Sequence, residues 1–248
     1  MLSNDMNING SLSISEVLRA TFKTLKEAPL AIFGISLLAA LVSGLMEISL
    51  SSVTSKGAKM YLTVLCQGII VLIAFQSIAG KKPSISASFK YVSQRLASLV
   101  LLLLLLILLC TPCALTLILF PRPQLMTAAG LLAYLSVLIS ASSVSVQACV
   151  IEKAGAMASL KRSAALTKGN RLRIAALFAL ALSAFFLVLL IVVPVFSRLF
   201  DENTAGLMLT LFNALPKAVL YLMTSIIYYQ LRCDKEGFGL ESVARIFE

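Results

Sequence analysis

Apolar residues run in six stretches long enough to cross a bilayer, at 29–46, 61–79, 95–120, 125–150, 171–200 and 214–232. A helix of about 20 apolar residues spans the hydrocarbon core, so each stretch predicts one transmembrane helix. The third and fifth exceed that length and are expected to tilt or to project beyond the lipid. Pro112 and Pro194 lie inside them and predict kinks, and Pro216 stands near the start of the sixth.

Between these stretches the pattern turns from continuous to periodic. Ile14, Leu18, Phe22 and Leu25 recur at helical spacing, with Arg19, Lys23 and Lys26 on another face. Ile85, Phe89, Val92 and Leu96 repeat this beside Lys90 and Arg95. Ala156, Leu160, Ala164 and Thr167 form a weaker apolar face beside Lys161 and Lys168. Ser13 and Glu16 have the spacing of a capping box. Pro29 permits a sharp turn into the first span, and Gly169-Asn170 a break before the fifth. A fourth candidate follows Gly237 and Gly239, where Leu240, Val243, Ala244 and Phe247 share a face.

The pairs Leu18-Arg19, Phe89-Lys90 and Leu160-Lys161 lie 71 residues apart, twice over. An interval held twice predicts one unit used three times, an interfacial amphipathic helix followed by a transmembrane hairpin. The units run over about 14–84, 85–155 and 156–232. The expected fold is therefore an all-α integral membrane protein of six transmembrane helices, its three pseudo-repeated units packed about an approximate three-fold axis normal to the membrane. Residues 1–13 are expected to be disordered and 233–248 to form a cytoplasmic amphipathic tail. Leu231-Arg232 prolongs the interval numerically, but no aligned helix follows it.

Composition makes the membrane assignment firm. Hydrophobic residues make up 59% of the chain and charged ones 13%, against about 25% charged in soluble domains. Residues 1–13 lack the basic start and apolar core of a secretory signal, so the first span is expected to drive insertion. Orientation follows from Lys and Arg. Sixteen lie on the side that holds both termini and the 80–94 and 151–170 connections, and five (Lys56, Lys59, Arg122, Arg198, Lys217) on the other. That bias places both termini in the cytoplasm. Cys66, Cys110, Cys113 and Cys149 lie inside apolar stretches and Cys233 at the cytoplasmic end, which argues against a disulfide framework.

The chain has no histidine, so neither a Ser-His or Cys-His nucleophile pair nor a HExxH zinc site can be built. Asp5, Asp201 and Asp234, the only aspartates, fall at ends or in expected loops, which argues against intramembrane aspartyl proteolysis. No GxxxxGK[ST] phosphate loop occurs. Cys110-Thr-Pro-Cys113 has redox spacing, but the outer loops carry no second cysteine pair to relay electrons, and cysteines packing as small hydrophobes fit better. The chain is expected not to be an enzyme, and no cofactor or metal is expected.

Ser136, Ser140, Ser143 and Gln147 form one polar stripe on the fourth span, and Gln67 and Gln76 add amides to the second. Such a stripe either permits close helix packing with interhelical hydrogen bonds or lines a path for solute or lipid headgroup; packing is the commoner use. No charged residue is expected mid-span, and Glu47 and Glu152 are placed at helix ends. The basic connecting helices are either solvated connectors or interfacial helices with cations on anionic headgroups. Their charge density favours the second. The candidate headgroup ligands are Arg19, Lys23, Lys26, Lys90, Arg95, Lys161, Arg162, Lys168, Arg171 and Arg173.

Residues 150–173, VIEKAGAMASLKRSAALTKGNRLR, carry a glutamate at the end of a span, then Leu160, Ser163, Leu166 and Thr167, then Arg171 and Arg173. This arrangement resembles the central signature of the YciC-like inner-membrane family and of a related group labelled glycerophosphoryl diester phosphodiesterase membrane domain. The ending YYQLRCDKEGFGLESVA (228–244) resembles the close of the last span in that group. The resemblance implies a six-helix bacterial inner-membrane protein without assigned activity. The phosphodiesterase label belongs to a separate soluble domain that this sequence does not contain, so no catalytic role carries over. The expected function is to bind or organise lipids, or to act as the membrane subunit of an envelope assembly, and the alternative is a transporter or channel for lipid or small solute. The expected partners are anionic membrane phospholipids and other envelope proteins, not nucleic acid.

Overall fold

The computed structural model describes residues 12–49, 52–119 and 125–237, and among them every regular element is a helix. In chain order these are α1 (Ile14–Glu27), α2 (Pro29–Ser49), α3 (Ser52–Ile78), α4 (Ile85–Gln94), α5 (Leu96–Leu119), α6 (Leu125–Ser142), α7 (Ser145–Ile151), α8 (Ala156–Thr167), α9 (Arg171–Leu199) and α10 (Glu202–Glu236). Six candidate spans have the length and composition to cross a membrane: α2, α3, α5, α6 continued by α7, α9 and α10. The protein is thus an all-helical, multi-pass membrane protein. Of the expected disordered start (1–13), residues 1–11 lie outside the described residues and Leu12 is buried; of the expected tail (233–248), residues 233–236 belong to α10 and 238–248 lie outside the described residues.

Several boundaries differ from the sequence reading. The expected loop before the sixth span is helical: α10 starts at Glu202 and runs 35 residues, about 50 Å at 1.5 Å per residue. Its start is capped by Asp201, whose Oδ2 accepts from the Thr204 N–H at 3.2 Å, and its end by Gly237 in the left-handed conformation. The expected Ser13–Glu16 capping box does not form: the Ser13 hydroxyl makes no cap and instead meets the Ser15 hydroxyl at 3.1 Å. On α1 the buried face is Val17, Ala20, Thr21 and Thr24, while Phe22 is 57% exposed. Small side chains let α1 lie close against its neighbours, and the bulkier Phe22 is turned outward.

The fourth span is broken rather than continuous. α6 ends at Ser142 and α7 begins at Ser145. Inside a bilayer the backbone groups freed by such a break need partners, and Ser163 of α8 supplies them. Its Oγ donates to the Ala141 carbonyl at 2.7 Å and accepts from the Val144 N–H at 3.3 Å.

The core lies at the end of the bundle where α3, α7 and α10 terminate. Ile70 to Phe75 of α3, Ala148 to Val150 of α7, and Leu222, Ile226, Ile227 and Tyr228 of α10 are buried together. Phe75 sits between Tyr228 and Tyr229, edge to face at 5.8 and 6.5 Å. Close approach needs small residues, and Gly68 shows it: a Cβ there would stand 2.8 Å from Val92 Cγ1 of α4. The short helices are tied to this same end. Arg95 Nη1 donates to the Lys153 carbonyl (3.1 Å), Tyr91 OH to that of Val150 (3.3 Å), and Arg173 Nη1 to that of Leu12 (3.2 Å). Lys235 Nζ donates to the carbonyls of Lys168 (2.8 Å) and Ala165 (3.0 Å).

Candidate functional site

Most of the predicted cationic residues collect at this basic end, where α7, α8 and α10 meet in an ionic cluster. Glu152 caps the end of α7, and Lys153 follows it in the left-handed region at φ 55°. That turn holds the Glu152 carboxylate facing α8 and α10. Arg162 Nε stands 3.0 Å from both its oxygens, and Arg162 Nη2 pairs with Glu236. Arg232 Nε bonds Glu236 Oε2 at 3.0 Å and lies 3.8 Å from Glu152 Oε1. Tyr228 OH donates to Glu152 Oε1 at 2.6 Å and accepts from Arg232 Nη1 at 3.4 Å. Partial burial works against the Arg162 charge, yet the two carboxylates outweigh it and hold its pKa above the ordinary arginine value. Two guanidiniums and two carboxylates cancel, so the cluster joins three helices rather than presenting charge. A second contact extends it to α4, where burial pushes the Tyr91 phenol up against the opposing effect of Arg95, and Lys153 Nζ lies 5.6 Å from the Tyr91 ring centroid.

The predicted headgroup ligands therefore divide. Arg162 is neutralised inside the cluster, Arg95 is spent on the Lys153 carbonyl, and Arg171 reaches the Ala164 carbonyl at 3.5 Å. Arg173 is exposed and ties Leu12, and Lys23 is half-buried. Arg19, Lys26, Lys90, Lys161 and Lys168 are exposed. Beside them stand exposed apolar side chains: Phe22 on α1, Ile85 and Phe89 on α4, and Met157 on α8.

The polar stripe of the fourth span spends its hydroxyls locally. Ser136 Oγ donates to Ala133 O (2.8 Å), Ser140 Oγ to Ser136 O (2.6 Å), and Ser143 Oγ to Ser140 O (2.9 Å). Such back-bonding favours bending of a helix, and the break after Ser142 falls within this run of serines. Gln147 is fully buried and donates to Thr224 Oγ1 at 2.6 Å, joining α7 to α10. The stripe passes from an exposed Ser136 into the core and does not line one surface. Of the cysteines, all free, Cys110 is exposed and Cys113 buried.

A cavity of about 280 Å³ between α2, α3 and α10 was not foreseen. Ser36, Ser43, Thr63, Thr210, Asn213, Tyr221, Lys59 and Lys217 are among its polar lining residues. The sequence reading put Lys59 in a connection and Lys217 at the outer end of the sixth span. The structure places Lys59 on α3 and Lys217 on α10, each inside a candidate span. The missed signal is the helix start at Asp201, which makes 202–213 part of the helix and shifts Lys217 from near its start to near its middle.

No family model matches this chain, and neither a curated protein nor a solved structure matches it.

Proposed function

We propose that this is a non-enzymatic protein of the bacterial inner membrane that binds or organises anionic phospholipids at its basic end. The observation that carries this reading is the exposed apolar side chain beside an exposed cation on each short helix: Phe22 with Arg19 and Lys26, Phe89 with Lys90, Met157 with Lys161. A helix so built lies in the interface, ring or thioether in the acyl boundary and cation on the phosphates. The excess of Lys and Arg at this end orients both termini to the cytoplasm.

Three repeated units account for the likeness of α1, α4 and α8. At the 71-residue interval the helix-capping positions Ser13, Ser84 and Gly155 correspond. So do the buried Val17, Ser88 and Ser159, the buried Thr21, Val92 and Ser163, and the exposed Arg19, Lys90 and Lys161. A repeat in burial phase is harder to reach by chance than a repeat in residue type. Membership of the YciC-like family fits the same picture, since the motif residues Glu152 and Ser163 hold the ionic cluster and the helix break.

Native mass spectrometry of the protein purified in mild detergent tests the reading. Wild type is expected to retain phosphatidylglycerol over phosphatidylcholine, and Arg19→Gln/Lys90→Gln/Lys161→Gln to lose about 3 kcal/mol of that preference, near 1 kcal/mol per cation. Unchanged retention in the triple variant would overturn it. A co-purifying protein in place of lipid would instead favour the envelope-assembly role.

A further inference from the structure

We infer that a groove between α3 and α5 is a phospholipid site: one anionic lipid of the leaflet at the basic end lays an acyl chain in it, with its headgroup at the end of α4. The inference rests on the lipid-binding role proposed above and gives that role a defined place. The packing of α4 explains why the groove exists. α4 runs antiparallel along α3, with Ser84 and Ser88 beside Gln76 and Val92 against Gly68. Arg95 ends α4 and Leu96 opens α5, so the chain enters α5 without filling the space beside the next turns of α3. That space is an open groove of about 600 Å³, within the range of ligand pockets, about 300–1,000 Å³.

Its wall on α5 is formed by Ala97, Val100, Leu101 and Leu104, spaced i, i+3, i+4 and i+7 on one helix face. Leu99 and Leu102 on the opposite face are buried, so packing of α5 on the protein turns this stripe outward. Ser93 and Gln94 of α4 line the near end of the groove and Tyr61 of α3 the far end. The levels agree along both helices. Tyr61 lies seven residues before Gly68 on α3, about 10 Å, and Leu104 eight residues beyond Leu96 on α5, about 12 Å. Ala97 is small and exposed, and this keeps the middle of the groove open.

Length and polarity select the occupant. From Gln94 to Leu104 is ten residues, about 15 Å, or half of a hydrocarbon core about 30 Å thick. The candidate span begins at Leu96, so the groove opens at the membrane boundary and ends near the midplane. A partner's transmembrane helix would need the full thickness; an acyl chain needs one leaflet. Apart from the Tyr61 phenol, the polar lining is confined to the mouth, where Ser93 and Gln94 are exposed. Ser93 Oγ is committed to the Lys90 carbonyl at 2.8 Å, which leaves the Gln94 amide and the neighbouring cations as donors. Lys90, one turn before Gln94, is exposed, and Arg95 follows it. Glu152, next to the Lys153 carbonyl that Arg95 holds, is itself engaged by Arg162 and Tyr228. A cationic mouth above one leaflet's length of apolar wall matches an anionic headgroup with its acyl chain beneath.

The chain has no tryptophan, so Tyr61→Trp, an aromatic exchange at the far end of the groove, gives it a single indole there. Full-length protein is reconstituted in phosphatidylcholine vesicles with a rising share of phosphatidylglycerol brominated in mid-chain, and quenching of the indole is read. Saturable quenching is expected, with a preference over bulk lipid of about fivefold, the effect of about one cation. Leu180→Trp, at an exposed position of α9, is expected to be quenched only in proportion to the share of brominated lipid. Brominated phosphatidylcholine diluted into unlabelled phosphatidylglycerol is expected to quench Tyr61→Trp less strongly at the same share. Ala97→Phe, which fills the groove from an exposed position, is expected to reduce quenching in Tyr61→Trp to the Leu180→Trp level. Where Tyr61→Trp perturbs the fold, phosphatidylglycerol carrying a mid-chain diazirine should crosslink residues 97–104 of the wild type in preference to 180–191, read by peptide mass spectrometry. Quenching of Tyr61→Trp no stronger than of Leu180→Trp, equal quenching by the two lipids, no effect of Ala97→Phe, or no preferred crosslink would overturn the inference. Loss of phosphatidylglycerol retention in Arg19→Gln/Lys90→Gln/Lys161→Gln, with Ala97→Phe silent, would reject the groove and leave the reading of the basic end standing.

Discussion

Helices α3 and α9 are both apolar spans, yet 67% of the α3 window is buried in the protein and 6% of the α9 window. The greasier helix is the more exposed one. In water this would be a fault; in lipid it is expected, because acyl chains solvate Leu and Phe as well as a protein core does and supply no drive to bury them. α3 uses its small and amide side chains for close approach to α4, whereas α9, despite its alanines at 175, 176, 179, 181 and 184, buries only Ile174 and Leu177. Gly68 and Gln76 bring its backbone near α4: a Cβ at Gly68 would meet Val92, and Gln76 Oε1 accepts from the Ser84 N–H at 2.9 Å while Gln76 Nε2 reaches Ser88 at 3.4 Å. Along α9, Phe186, Leu187, Leu190, Ile191 and Val193 face outward without such contacts. Between these two helices burial does not follow hydropathy.

That contrast can be broken most sharply at Gly68. Gly68→Leu drives a branched side chain into Val92, already 2.8 Å from where a Cβ would sit, and is expected to destabilise by about 3 kcal/mol. Gly130→Leu, where nothing lies within 4 Å, is the matched control and should leave the unfolding midpoint in detergent unchanged. Equal effects at the two glycines would mean that α3 and α4 are not in close contact.

Next in size is Ser163→Ala, which leaves the Ala141 carbonyl and Val144 N–H without their partner. A loss of about 2 kcal/mol is expected, again by thermal unfolding, with a wild-type result if water reaches the break. Glu152→Gln keeps the shape of the ionic cluster but removes one of its two negative charges. Because the partners are partly exposed, the expected cost is about 1–2 kcal/mol rather than the full value for a buried pair. Pairing it with Arg162→Gln should recover part of that loss, and strict additivity in the double-mutant cycle would show that the two do not interact. Smallest of all, Ile191→Ala on the lipid face of α9 is expected to change stability by less than about 0.5 kcal/mol. A core-like loss there would reveal a protein partner in place of lipid.

Much of the architecture is legible in the chain. Apolar runs of spanning length and the short periodic segments between them read directly as helices because both patterns are local, and the structure has α1, α4 and α8 in those places. The 12-residue extension of α10 was legible too, in Asp201 ahead of Thr204, but the apolar-window reading passes over a helical turn that is itself polar. The break after Ser142 was not legible. A stripe of serines has the same spacing whether it packs, bends or lines a path, and only the arrival of Ser163 from α8, some twenty residues on, decides among these.

The sequence by itself determined that this protein lives in a membrane, how many times its helices can cross, and where its positive charge is concentrated, because hydropathy and charge act residue by residue against the solvent. Which cations remain outward and which are cancelled, which face of each short helix is buried, and that Lys59 and Lys217 open onto one cavity were decided by tertiary structure. Those facts depend on pairs such as Arg162 with Glu236 and Arg95 with Lys153, whose members lie 74 and 58 residues apart and meet only when the helices pack.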